Sequence, residues 1–489
     1  MRTAPVSSDE IQEEDQNFQY TSYRNLPPVA GIASFEEAGK PGLSVEESVS
    51  RLKRIHYALL RLTEIFVARI PAEPVYELKT AFSLHAHLCA EHVDAIRQRV
   101  GEMREPPLGL DKIPHPALEI LFDEIIGAPD TPSLLLGIYK VSLPAIRDAL
   151  ERYRQEANPL TDSPTLRLCR FALLEVDDML AYGKRANASF PFSQASDGDA
   201  WQNLLTNCLA AAGGLDGSSP ATEHADQRIY SKEPFKFDRE PRRDGRFPDP
   251  FNKGVNAEAF LYDEEMPEDA KVLMMLFKRL REIDVPEMMA SIITDTKGKP
   301  WEYYRDMIRQ LWDEARHAIM GEVGFFNLRI PWPEYVMVNF TWARELNLQL
   351  TPIERHAVLY FIEQGLMSKT GKRYEWEVGR RSNFPFAATF QDFDWADEVL
   401  HSRIGRDWYV SQMASQKEAI EYGDRSWSSI LGTWESWKEQ GLTSHRNWWP
   451  GLYQAYCQIS GTEPDPKVLA YSQNYKSSRD DLKEVGPSY

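Results

Sequence analysis

Two short segments of the chain carry metal-binding residue types at a spacing that a helix can use. They are Asp313-Glu314-Ala315-Arg316-His317 and Asp397-Glu398-Val399-Leu400-His401. Residues three apart on an α-helix leave it on the same side, so each Glu-x-x-His offers a carboxylate oxygen and an imidazole nitrogen to a common point. Two such helices, with one further glutamate from each of two others, make a six-ligand set for two metal ions inside a helical bundle. A thiolate-free set of this kind suits iron or manganese and argues against structural zinc. With ten histidines in the chain, about one Glu-x-x-His is expected by chance, and requiring Asp just before Glu lowers that to roughly 0.06. The chain has the longer pattern twice. Because a ligand histidine usually gives its second ring N–H to an outer carboxylate, Asp313 and Asp397 are assigned that supporting role.

The single glutamates must come from the preceding helices. Glu363 sits within the apolar run Ala357–Leu366, where a carboxylate is costly if buried alone, and it precedes Glu398 by 35 residues. For the first helix two residues compete. Glu282 precedes Glu314 by 32 residues and has the better reach; Glu287, 27 residues before, shares a face with Leu276, Leu280 and Ile283. Both stay as candidates. Tyr360, one helical turn before Glu363, is the ring best placed for a redox or substrate-facing role. His85 and His87 lie two apart, on different sides of any helix, and so do not form a second metal face.

These residues need long helices to position them, and the chain reads as all-α. Residues 1–44 are polar and punctuated by Pro and Gly, an N-terminal arm. From Val45 an apolar stripe at steps of three and four runs through Leu52, Ile55, Leu59, Leu62, Phe66 and Ile70, preceded by Ser44 and Glu47 as a capping box. Further helices to about residue 188 complete a first four-helix unit, 45–188. Residues 189–266 are turn-rich and read as a long irregular linker. A second unit, 267–414, is expected from helices at 267–296, 301–327, 352–368 and 392–414, with 369–391 as a polar break. Residues 415–489 form a tryptophan-bearing extension expected to pack on the outside.

The two units look related. Aligned on Glu91 and Glu314, residues 91–101 and 314–324 share five positions of eleven, and Glu175 falls where Glu398 does. Asp94 and Asp178 then stand where the second copy has histidines, so the first copy reads as degenerate.

Composition limits the partners. Apolar residues make up 42% and charged residues 27%, with a formal charge of −18. So acidic a chain repels phosphate backbones, which argues against nucleic acid. No stretch has the roughly 18 apolar residues of a membrane helix, and no signal-peptide core follows Arg2. Cys89, Cys169, Cys208 and Cys457 are far apart and match neither a disulfide framework nor a metal spacing. The expectation is a soluble cytoplasmic protein, with a homodimer allowed.

Glu282 or Glu287, the Asp-Glu-Ala-Arg-His segment, Phe361-Ile362-Glu363-Gln364-Gly365 and the Asp-Glu-Val-Leu-His segment together resemble the ferritin-like di-iron carboxylate superfamily. Within it they look most like bacterial ferritin-like proteins of unassigned function with an Asp-Glu-Ala-Arg-His helix. The resemblance covers roughly 267–413 and, in decayed form, 45–188. It implies two ferritin-like four-helix bundles and a centre of two iron ions, or one iron and one manganese. It also implies dioxygen chemistry on a small organic substrate. With no dinucleotide fingerprint in the chain, electrons are expected from a separate donor. The alternative expectation is a non-catalytic iron-binding protein for metal handling or sensing.

Overall fold

The computed structural model describes residues 20–104, 109–191, 196–223, 227–367, 371–431 and 434–474. Residues 1–19 of the expected arm and 475–489 of the expected extension lie outside them. Among the described residues every regular element is a helix. None is long and apolar enough to cross a membrane.

The first half contains α1 (Val45–Arg69), α2 (Tyr76–Glu102), α3 (Leu143–Glu156) and α4 (Ser163–Ser189). The expected capping box opens α1, Ser44 and Glu47 each satisfying the other's backbone N–H. The stripe Leu52, Ile55, Leu59, Leu62 and Phe66 is wholly buried, each side chain contributing about 1.5–3 kcal/mol. The stretch read as an irregular linker is not irregular throughout. It carries α5 (Ser196–Ala211), whose Trp201, Leu205 and Cys208 join the core of the first half.

The second half differs from the four expected helices in two places that matter for the site. The segment 267–296 is two helices, α6 (Glu268–Arg281) and α7 (Asp284–Asp295), parted at Glu282 and Ile283. Pro286 explains the break: its ring has no N–H to give to the Glu282 carbonyl four residues back and clashes with it. Then come α8 (Trp301–Asn327) and α9 (Pro352–Leu366). The expected polar break holds a further helix, α10 (Lys372–Arg381), and α11 starts early, spanning Pro385–Trp408. In the extension, α12 (Gln416–Leu431) packs on α9, and Trp427, Trp437, Trp448 and Trp449 are buried.

The helices meet in matching pairs. In the first half α1 packs along α2, α3 along α4, α2 on α4 and α1 on α3. In the second, α6 and α7 pack along α8, α9 along α11, α8 on α11 and α7 on α9. The halves are joined by α2 lying along α8. One hydrophobic core runs through both, placing Leu62 and Val93 with Met289, Ile308 and Leu359. Two glycines bring the site helices close. A Cβ on Gly321 would sit 2.4 Å from the Leu280 nitrogen, and one on Gly405 would sit 2.4 Å from the Tyr360 ring. Only glycine lets α8 approach α6, and α11 approach α9, this closely.

Candidate metal centre

The two Glu-x-x-His pairs face each other across α8 and α11, and all four side chains are buried. Glu314 lies between the histidines, its Oε1 3.0 Å from His401 Nδ1 and its Oε2 3.5 Å from His317 Nδ1. From α9, Glu363 joins Glu314, Glu398 and His401 in one cluster of potential ligand atoms. Glu282, Asp394 and His317 form a second. In it His317 Nδ1 is 3.6 Å from Glu282 Oε2 and 3.3 Å from Asp394 Oδ1. The helix break at Pro286 thus leaves Glu282 on the end of α6, turned toward α8.

The outer carboxylates cross over. Asp397, on α11, meets Nε2 of His317 on α8; Asp313, on α8, meets Nε2 of His401 on α11. Arg316 ties the two together, its Nη2 lying 2.6 Å from each carboxylate. The hydrogen bond to Asp397 holds His317 with Nδ1 turned inward, while His401 Nε2 faces Asp313 at 3.5 Å without a hydrogen bond.

Charge is balanced by cations as well as by protons. Lys372, from the start of α10, is fully buried, its Nζ 2.9 Å from both Asp394 oxygens and 2.8 Å from Glu398 Oε1. Arg279 pairs with Asp394 and with Glu282. Burial opposes charge on His317, but the Asp394 carboxylate, a hydrogen bond to Asp397 and the nearby Glu314 carboxylate raise its pKa to about 10. Burial is outweighed at His401 too, where Asp313, Glu314 and Glu398 lift it well above the usual histidine range. Against its burial, the close approach of both imidazole rings holds Glu314 down to about 2. Burial and the Glu398 charge push Glu363 well above the carboxylate range, and burial raises Glu282 to about 7.

A metal fits this set on one direct observation. Glu282 Oε2, Glu314 Oε1, His317 Nδ1, Glu363 Oε2, Glu398 Oε2 and His401 Nδ1 are buried and make no hydrogen bond among the described residues. Unsatisfied buried polar atoms are rare because each costs about 1–3 kcal/mol. Six of them, one on each residue of a carboxylate–histidine set, are what a cation-binding site leaves when described as protein alone. No family model matches the chain, and no curated protein or solved structure matches it. The site is therefore argued on its own geometry.

Six of the seven residues proposed as ligands come together here. Glu287 does not. Its carboxylate, five residues beyond the break, is held by Lys79 and by Arg243 at 2.8 Å, all three side chains nearly or wholly buried. Tyr360 packs against Gly405 and Tyr409, and its hydroxyl meets Gln364 and Gln416 rather than the cluster. In the first half, Asp94 pairs with Arg305 and Glu175 with His92. No comparable ligand group occurs there among the described residues.

Sequence reasoning missed Asp394, Arg279 and Lys372. Asp394 had a signal, since it lies four residues before Glu398 and seven before His401 and so shares their face. Lys372 had none, because a lysine in a polar stretch ordinarily faces water.

Proposed function

We propose that the chain is a non-haem di-metal oxidoreductase, holding two iron ions, or one iron and one manganese, between two ferritin-like helices of its second half. The observation that carries this is the convergence of six unsatisfied buried ligand atoms, two of them imidazole nitrogens whose rings have an aspartate behind them, hydrogen-bonded at His317 and 3.5 Å away at His401. One position would be held by Glu363, Glu398 and His401, the other by Glu282, His317 and Asp394, with Glu314 shared. The recurring helix pairs favour reading each half as a four-helix bundle, the first without ligands.

When bound, a reduced pair of such metals supplies two-electron chemistry with dioxygen, usable on a small organic substrate, with electrons from a separate donor. The residues of the chain do the rest. Asp313 and Asp397 fix the imidazole tautomers, Arg316 keeps those carboxylates in register, and the surrounding core excludes water. Lys372 and Arg279 neutralise Asp394, Glu398 and Glu282, so the site folds without leaving three buried charges opposed.

Lys372 also favours a second reading. Its ammonium occupies the space beside Asp394, Glu398 and Glu282 that a second cation would share, so a one-metal centre completed by a protein cation is the rival.

The test is metal content of anaerobically purified, iron-supplemented protein, in the parent and in His317→Ala/His401→Ala. About two metal ions per chain, lost in the variant, support the di-metal centre; about one supports the rival. No metal in a folded parent sinks both. Dioxygen consumption with a chemical reductant then separates turnover from metal storage or sensing.

A further inference from the structure

The two faces of α4 meet different surroundings. Leu168, Ala172, Val176 and Met179 are buried, on the side where α4 packs on α2, α3 and the helical segments at 131–142. On the opposite face Arg167, Phe171, Leu174, Asp178 and Ala181 follow one another at steps of three and four, and all are exposed. Phe171 is 51% exposed and Leu174 64%. Being three residues apart, they form one apolar patch on the outside of the helix. The exposed pair on α11, Phe393 and Val399, stand six residues apart and point to different sides of their helix, so they form no such patch.

Opposite charges bracket the α4 patch at equal distances. Arg170 stands four residues before Leu174 and Asp178 four residues after it. Both are exposed, and neither has an ion-pair partner among the described residues. The charges around them are engaged. Asp177 holds Arg147 at 2.7 Å, Glu175 meets His92 at 2.7 Å, and the Arg167 guanidinium lies over the Phe171 ring at 4.7 Å. A face with a free cation at one end, a free anion at the other and apolar groups between them is complementary to itself when turned end for end. With a two-fold axis at Leu174, an antiparallel pair of α4 helices sets Arg170 of each copy opposite Asp178 of the other, and Phe171 and Leu174 close the centre. A parallel pair would set like charges together.

We propose that α4 is a self-association surface, pairing antiparallel with α4 of a second copy of this chain about a two-fold axis at Leu174. The Arg170–Asp178 contacts set the direction, and Phe171 and Leu174 supply the apolar area removed from water. Contact along a single 27-residue helix suits a reversible dimer rather than an obligate one. The surface includes no ligand of the metal centre, and the pairing does not depend on metal.

Sedimentation equilibrium of the full chain over micromolar concentrations tests this by charge reversal. The parent is expected to be a reversible dimer. Arg170→Asp and Asp178→Arg each set like charges against one another at both ends of the contact, and each should weaken the dimer by about tenfold or more. An equimolar mixture of these two variants should dimerise as the parent does, because every junction then pairs an acid with a base. The double variant should do the same. Leu174→Asp should weaken the dimer and be rescued by neither reversal. All three positions are exposed, so the unfolding curves of the variants should match that of the parent. A monomeric parent, a dimer indifferent to both reversals, or a mixture no tighter than either variant alone overturns the proposal.

Discussion

Asp397 Oδ2 lies 3.1 Å from Nε2 of His317, the histidine of the opposite helix, and Asp313 Oδ2 lies 3.5 Å from Nε2 of His401 in return. An aspartate one residue before Glu on a helix points away from the Glu-x-x-His face of its own helix, so it reaches the back of the facing imidazole more easily than its own. The two motifs are thereby interlocked, and neither histidine is oriented by its own segment alone.

This crossing predicts which double variants couple. Asp397→Asn is expected to weaken metal binding by about 10–100-fold. Its effect should largely vanish when His317 is already alanine and persist in full when His401 is alanine. Equilibrium metal titrations of the parent, the three single variants and the two double variants measure this, and additivity with His317→Ala would contradict the crossed arrangement.

Lys372→Met removes a buried cation from Asp394 and Glu398. The metal-free protein should lose roughly 3–5 kcal/mol of stability, because two buried carboxylates lose a partner. The position formed by Glu282, His317 and Asp394 should then bind metal more tightly. Urea unfolding with and without divalent iron reads both effects. A variant as stable as the parent without metal would show that the lysine does not balance the site.

Glu287→Gln separates the two first-helix candidates. It should leave metal content unchanged, since Glu287 is held by Lys79 and Arg243. It should still lower stability by about 3–5 kcal/mol by leaving two cations underpaired. Glu282→Gln should instead reduce metal content. Loss of metal in Glu287→Gln with the fold intact would reverse the assignment.

The protons predict a pH dependence. His317 is raised to about 10 in the folded protein from about 6.5 in an unfolded chain. Its contribution is therefore fully present below pH 6.5 and lost as pH rises through about 10. Glu282, raised by burial to about 7, acts in the same direction over a lower range, from about 4.5 upward. The metal-free protein should become less stable from neutral pH to pH 10, while the metal-loaded protein, its imidazole protons displaced, should not. Metal uptake near pH 7 should release protons, measurable in buffers of different ionisation enthalpy. Uptake without proton release would rule out metal binding at the histidine Nδ1 atoms.

The sequence by itself determined the helical stripe of α1, its capping box, and the four residues of the two Glu-x-x-His pairs, because these rest on local periodicity. A helix repeats every 3.6 residues, so Glu314 and His317, or Glu398 and His401, share a face whatever surrounds them. The same local rule could have added Asp394. Tertiary structure alone decided between Glu282 and Glu287, because Pro286 breaks the helix between them and only the packed neighbours show which carboxylate is held by Lys79 and Arg243. It alone brought Lys372 into the site, since a lysine is drawn from water only when several carboxylates from distant segments surround it. The crossing of Asp313 and Asp397 was likewise invisible in one dimension: it depends on how close α8 and α11 lie, and that distance is set by packing.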